Sequence, residues 1–300
     1  MRNEFAQAMV EAYDRYQDLV FITGDLGYMA LEKLEQKFGE RFINAGVAEQ
    51  NMVAVGASLA YEGFVPFVYS ISPFVTLRPY EQIRNDVCLH NLPVKIVANG
   101  GGYGYGIMGA THHNIEDIGS MRILPNMRVY VPFLASDVAP VVNEMIVDRR
   151  PNYLRLNVGA KIQFEVEPFK PWRKIKHGSD GVVIGTGPVL ENICNSGFAK
   201  DLEIWVVGIF PIEEIPQELI QSVNESRKLI VIEEHNGECG LRETLSYHMM
   251  NHLHTSIKIL SLSAKGYPSG KFGDQKWHQQ ENGLDGENMI NSLSKFLGKN

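Results

Sequence analysis

Glu49 stands where the apolar run 42–45 (FINA) stops at Gly46 and a long apolar stretch begins, carried by Met52, Val53, Val55, Ala57, Leu59 and Ala60. A carboxylate led into a helix that is apolar nearly all round is costly unless it is paired or protonated. Glu49 therefore either complements the helix dipole or does chemistry. His112 and His113, in the loop GATHHN, sit near a strand end where a histidine is placed for proton handling. Asp25, after the apolar run 19–23, reads as a helix cap, and Phe74, Leu77 and Tyr80, at three-residue spacing, read as core on periodicity alone. The stretch Gly100-Gly101-Gly102-Tyr103-Gly104-Tyr105-Gly106 invites a phosphate-cradle reading. It lacks the Gly-Lys-Ser/Thr ending and opens no helix, which points instead to a flexible substrate-covering loop.

These residues need elements to hold them, and the apolar pattern supplies a repeating one. Strands are predicted at 19–23, 42–45, 65–69, 94–98, 129–131 and 153–156. Helices fall between them, at the amino terminus, 31–38, after Glu49, 77–90, 115–124 and 137–147, the last begun by Ser136. Strand-length apolar runs alternating with helices imply a parallel sheet covered on both faces. Ligands bind such sheets beyond the carboxyl ends of the strands. Residues 24–26, 46–50, 70–80 and 99–117 all lie there, so the first domain has one candidate site. Residues 158–179 break the rhythm with prolines and mixed charge and read as a linker. A second unit follows with strands at 182–184, 204–207, 229–232 and 257–260, a polar glycine-containing stretch at 265–280, and a last helix at 285–296. The expected fold class is α/β: two doubly wound, mostly parallel-sheet domains, 1–157 and 180–300, joined by 158–179.

The chain has 300 residues, 44% of them hydrophobic, which is ample for packed cores. A net charge of −7 with dispersed lysines and arginines provides no field for nucleic acid or an anionic membrane, so small molecules or proteins are the expected partners. The amino terminus reads as an amphipathic helix and not a signal peptide. No run approaches the roughly 20 apolar residues of a membrane span. Cys88, Cys194 and Cys239 are odd in number, far apart and without metal-ligand spacing, which suggests reduced thiols in the cytoplasm.

GVAEQNMVAVGASLAYEG, SPFVTLRPYEQI and GATHHNIEDIGSMRILPNM together resemble the transketolases and 1-deoxyxylulose-5-phosphate synthases, which use thiamine diphosphate. In outline the resemblance covers the whole chain. It implies a pyrimidine-binding domain at 1–157 and a transketolase-type carboxy-terminal domain at 180–300. It makes Glu49 the carboxyl that hydrogen-bonds the cofactor's pyrimidine and activates it, work for which a half-buried group with a raised pKa is suited. Phe74 and Tyr80 match aromatic positions of the pyrimidine pocket, and Asp25 and Leu26 match a pair lining it. His112 matches a substrate-site histidine assisting proton transfers, with His113 beside it. Arg2 matches a phosphate-side arginine.

Some family features are missing. The Gly-Asp-Gly motif and following Asn that hold Mg²⁺ against the diphosphate have no counterpart, since Gly24-Asp25-Leu26 is not that motif. The resemblance is thus to the second half of a transketolase split into two polypeptides. It implies an amino-terminal-half partner carrying that motif, which would hold most of the diphosphate and Mg²⁺, in an α2β2 heterotetramer. Met108, Met29 and Val158 replace an aspartate, a serine and an arginine at the donor hydroxyl and the phosphate, and Arg155 is the neighbouring candidate to substitute. A standard pentose phosphate is therefore not the expected substrate. The implied reaction is transfer of a two-carbon ketol unit from a ketose to an aldose. The alternatives are the β subunit of a 2-oxoacid dehydrogenase E1, a pyruvate-dependent deoxyxylulose-type synthase, and a non-catalytic scaffold subunit. Glu233-Glu234-His235 reads as the surface end of a strand in a mainly structural domain.

Overall fold

In the computed structural model, which describes residues 1–26 and 30–299, the first half of the chain alternates helix and strand. Its elements are α1 (Arg2–Tyr13), β1 (Leu19–Thr23), α2 (Glu32–Phe38), β2 (Phe42–Asn44), α3 (Glu49–Tyr61), β3 (Val65–Ile71), α4 (Ser72–Thr76), α5 (Tyr80–Gln82), β4 (Lys95–Asn99), α6 (Asp117–Arg122), β5 (Arg128–Tyr130), α7 (Val138–Val147) and β6 (Asn152–Leu156). The second half adds β7 (Trp172–Lys176), β8 (Val182–Thr186), α8 (Glu191–Cys194), β9 (Glu203–Val207), β10 (Ile209–Phe210), α9 (Gln217–Ser226), β11 (Lys228–Asn236), α10 (Leu241–Met249), β12 (Lys258–Ala264), α11 (Gln275–Glu281) and α12 (Gly286–Leu297). Met29 lies outside the described residues.

Every residue of β1, β6, β8 and β9 is buried, as expected for strands with helices on both faces. The first sheet has the order β10-β5-β6-β4-β3-β1-β2 and the second β12-β11-β8-β9-β7. Both are α/β sheets, parallel except for one edge strand each: β10 runs antiparallel to β5, and β7 antiparallel to β9. The edge strand of the first sheet therefore comes from the second half of the chain. One apolar core runs through both units, joining Ile22, Met52 and Val68 to Ile184, Val207 and Leu229. Each such side chain contributes about 1.5–3 kcal/mol on burial, so the two units are welded and not hinged.

Several local expectations change. The expected linker 158–179 contains β7, and this strand was hidden because one of its inward positions is charged. Arg173 is buried against Asp137, with Nη1 2.7 Å and Nη2 2.6 Å from the two carboxylate oxygens. Asp137, not Ser136, also organises the entry to α7, accepting from the backbone N–H of Phe133 and of Leu134. The helix expected at 77–90 is interrupted. Pro79 offers no N–H to continue α4, and the chain restarts at α5 and passes into a wide π-type turn, Ile83–Cys88. The polar stretch 265–280 contains α11, capped by Asp274, which accepts from the Trp277 N–H at 2.8 Å. Among the described residues no helix is long and apolar enough to cross a membrane.

Candidate active site

The carboxyl ends of the first sheet's strands converge as expected. Beyond β2 the Asn44 side chain accepts from the Gly46 N–H at 3.0 Å, and Gly46 turns with φ +69°, a conformation that favours glycine. The turn passes so close to the end of β1 that a Cβ on Gly24 would lie 3.0 Å from the Gly46 carbonyl oxygen. It delivers Glu49 as the first residue of α3, buried at 6% exposure, where the helix dipole favours a negative charge.

Glu49 does not face apolar groups alone. Its Oε1 accepts from Arg78 Nη1 at 2.8 Å, and the same guanidinium lies over Phe74, its Cζ 3.7 Å from the ring centroid. The Phe74 and His112 rings meet in a T-shaped contact with centroids 5.0 Å apart, and the Tyr105 ring centroid lies 5.9 Å from that of His112. His112 is half-buried, with Nδ1 2.9 Å from the Thr111 hydroxyl. Glu49, Arg78, Phe74, His112 and Tyr105 thus form one continuous wall. Sequence reasoning missed Arg78, although a cation four residues after Phe74 and two before Tyr80 was the available signal.

The remaining candidates separate into groups. Asp25 is exposed and Leu26 half-buried, and they line an adjoining cleft of about 290 Å³ with Thr23, Phe42 and Asn44. Tyr80 is half-buried against the core and donates its hydroxyl to the Ser120 carbonyl at 2.8 Å. Arg2 is half-buried near Tyr69 and Tyr105, and its side chain has no hydrogen bond or ion pair among the described residues. Met108 and Val158 are exposed on the strand-end loops.

Two expected substrate residues lie in the interior. Arg155 is buried, with Nε 2.7 Å from Asp117 Oδ2 and Nη2 donating to the carbonyl oxygen of Glu234 at 3.0 Å. Nε and Nη2 are taken by protein acceptors, while Nη1 has no hydrogen-bond partner among the described residues, so the side chain is anchored in the interior by two of its three nitrogens. His113 is wedged between the Gly106 carbonyl (2.7 Å) and the Tyr267 hydroxyl (3.1 Å), and burial pushes its pKa down to about 4. It supports the loop from beneath.

That loop is held from the carboxy-terminal domain. Gly102 and Asn114 exchange backbone hydrogen bonds of 2.7 and 3.0 Å, which close the loop carrying His112. Glu234 Oε1 accepts from the Tyr103 N–H at 2.8 Å, and both its oxygens accept from Gln275. Burial pushes the Glu234 carboxyl up. Beside it, His235 Nε2 accepts from the Gly119 N–H at 3.1 Å, and the Asn236 N–H donates to the Ile115 carbonyl at 2.7 Å. Glu233 caps α10 through the N–H groups of Leu241 and Arg242. The expected surface strand end is therefore a buried grip on the active-site loop.

The recess suits a flat heteroaromatic ring with N–H donors: it offers a buried carboxylate, an aromatic face and, in this state, a planar cation between them. Thr23 Oγ1 and Ser70 Oγ, near the ends of adjacent central strands, and Asn114 Oδ1 are buried without hydrogen-bond partners among the described residues. No group of three or more His, Cys, Asp or Glu side chains among the described residues is arranged to hold a metal ion.

A strand-end carboxylate at a helix start, an aromatic ring and a glycine-rich loop bearing histidine lie together at the carboxyl end of the first sheet. Residues 1–160 match the family model described as transketolase, pyrimidine binding domain, and the chain belongs to that family, whose cofactor is thiamine diphosphate. It is 26% identical over 300 residues to one of the subunits of an apulose-4-phosphate transketolase from Actinobacillus succinogenes, covering 97% of this chain and 96% of the relative. It is 29% identical over 310 residues to a putative transketolase C-terminal section of Methanocaldococcus jannaschii, covering 100% and 96%. A solved chain described as a split-gene transketolase in an inactive β4 tetramer superposes with a TM-score of 0.82 at 26% identity, covering 99% of this chain and 97% of that one.

Proposed function

We propose that this chain is the carboxy-terminal subunit of a two-polypeptide transketolase-like enzyme that moves a two-carbon ketol unit from a ketose to an aldose. The observation that carries the reading is the buried Glu49 carboxylate at the helix start, facing the Phe74 ring across a space that holds a planar cation. Thiamine diphosphate, when bound, supplies the nucleophilic carbon that carries the two-carbon unit between substrates. Glu49 hydrogen-bonds the pyrimidine ring nitrogen and exchanges a proton with it, accepting from that nitrogen once it is protonated. Phe74 supplies the stacking face, and Asp25 and Leu26 line the approach. Tyr80 sits behind this wall, tied to α6 through Ser120. His112, on a loop pinned at both ends, reaches substrate hydroxyl and carbonyl oxygens and transfers protons there.

The metal and diphosphate belong to an amino-terminal-half subunit with the Gly-Asp-Gly…Asn motif, paired with this chain in an α2β2 assembly. Exposed Val47, Leu77, Ile107, Met108 and Val158 surround the site on strand-end loops, and apolar residues gathered there suit a subunit interface. With Arg155 paired to Asp117 in the interior, Arg2 is the other arginine matched to a substrate phosphate, so the preferred substrate is less charged than a pentose phosphate or holds its phosphate elsewhere. The test combines both subunits with Mg²⁺ and thiamine diphosphate and supplies ketose donors with aldose acceptors. Ketol transfer is the expected result. Release of carbon dioxide from pyruvate, at the same sites and faster, overturns it in favour of a synthase or 2-oxoacid dehydrogenase reading.

A further inference from the structure

Arg78 belongs to no site role assigned above, yet it touches both groups on which the cofactor reading rests. Its Nη1 lies 2.8 Å from Glu49 Oε1, and its Cζ lies 3.7 Å above Phe74. A guanidinium is flat and delocalised and presents N–H donors along its edge, as an aminopyrimidine does. It makes the same pair of contacts as a bound pyrimidine protonated at its ring nitrogen: stacking on an aromatic face and donation to a buried carboxylate. The two cannot share that face of Phe74 and the same carboxylate oxygen.

We propose that Arg78 is an internal plug, a surrogate for the cofactor's pyrimidine that fills the recess in the free chain and withdraws when cofactor binds. The proposal rests on the cofactor reading given above. The asymmetry of the pair supports it. The Glu49 side chain is 7% exposed and fixed at the start of α3, whereas that of Arg78 is 45% exposed and lies in the irregular segment between α4 and α5, so the arginine is the partner free to leave. If it left without a replacement, a buried carboxylate would lose its donor, which is costly. Its departure is therefore coupled to the arrival of another donor, and an empty recess stays closed.

A half-exposed ion pair together with a cation–π contact lowers apparent cofactor affinity by about tenfold, through the fraction of molecules with the recess open. The test uses the full chain and thiamine, which lacks the diphosphate assigned to the partner and so reports the pyrimidine recess. Binding is followed by NMR of the Phe74 and His112 rings in the wild type, Arg78→Ala, Arg78→Met, and each arginine variant combined with Glu49→Gln. The methionine variant keeps the methylene packing should alanine disturb the fold. Thiamine is expected to bind both arginine variants about tenfold more tightly than the wild type. Glu49→Gln should remove that gain, and guanidinium ion should compete for the opened recess. Equal or weaker binding by both arginine variants, still dependent on Glu49, overturns the plug and leaves the cofactor reading intact. Absence of Glu49-dependent thiamine binding in every protein removes the cofactor reading and the plug with it.

Discussion

Replacing Asp117 by alanine should leave the Arg155 guanidinium stranded in the interior. The pair is at 2.7 Å with side-chain exposures of 2% and 0%, so the lost acceptor lies away from bulk water. Asp117 Oδ2 also accepts from the Tyr153 hydroxyl at 2.7 Å, and that donor is orphaned by the same change. Breaking a buried pair by removing one partner costs about 3–5 kcal/mol, because the remaining charge is uncompensated. Arg155→Met, which fills much of the volume without a charge, leaves Asp117 with Tyr153 as a donor and should cost less than Asp117→Ala. The double variant Asp117→Ala with Arg155→Met should cost less than the sum of the two, because neither charge is then buried alone. Urea unfolding followed by the fluorescence of Trp205, buried in β9, measures these differences. A loss below about 1 kcal/mol for both single variants, together with a raised KM for a phosphorylated substrate, would refute the interior assignment and return Arg155 to the substrate.

Gly102→Ala places a Cβ 2.2 Å from Glu234 Oε1 at a φ of +65°, so it should loosen the grip on the active-site loop and destabilise the protein by about 2 kcal/mol or more. Faster hydrogen exchange at the Tyr103 and Asn114 amides would report it. His113, held down at about 4 by burial, takes up a proton in the unfolded chain near 6.5 but not in the folded one. Its contribution to stability is therefore full above pH 6.5 and lost as pH falls towards 4. The slope of stability against pH across that window should be steeper in the wild type than in His113→Gln. Glu49→Gln, assayed in the assembled enzyme, should lower kcat by at least about 10²-fold while the far-ultraviolet circular dichroism keeps its wild-type form. Unchanged turnover would point to a scaffold role.

Much of the architecture could be read along the chain because burial on both sheet faces writes itself as continuous apolar runs. Strands such as LVFIT at 19–23 need no partner to be recognised. The position of Glu49 was legible for a related reason: a carboxylate at the edge of an apolar helix is a local anomaly. β7 was not legible, since its Arg173 reads as linker charge until Asp137 is known to lie opposite. Nor was β10, a two-residue strand whose apolar character says nothing about which sheet it joins.

The sequence by itself determined the alternation of elements and singled out Glu49, Phe74 and His112, which the fold brings together at the carboxyl end of the first sheet. Tertiary structure alone decided which charges meet. Arg78 reaches Glu49 across 29 positions, Arg155 turns inward to Asp117 across 38, and Glu234 crosses 131 to hold Tyr103. Hydrophobic periodicity is a one-residue property, reporting whether a side chain leaves water. An ion pair or hydrogen bond is a two-residue property, fixed only when folding brings distant segments within about 3 Å.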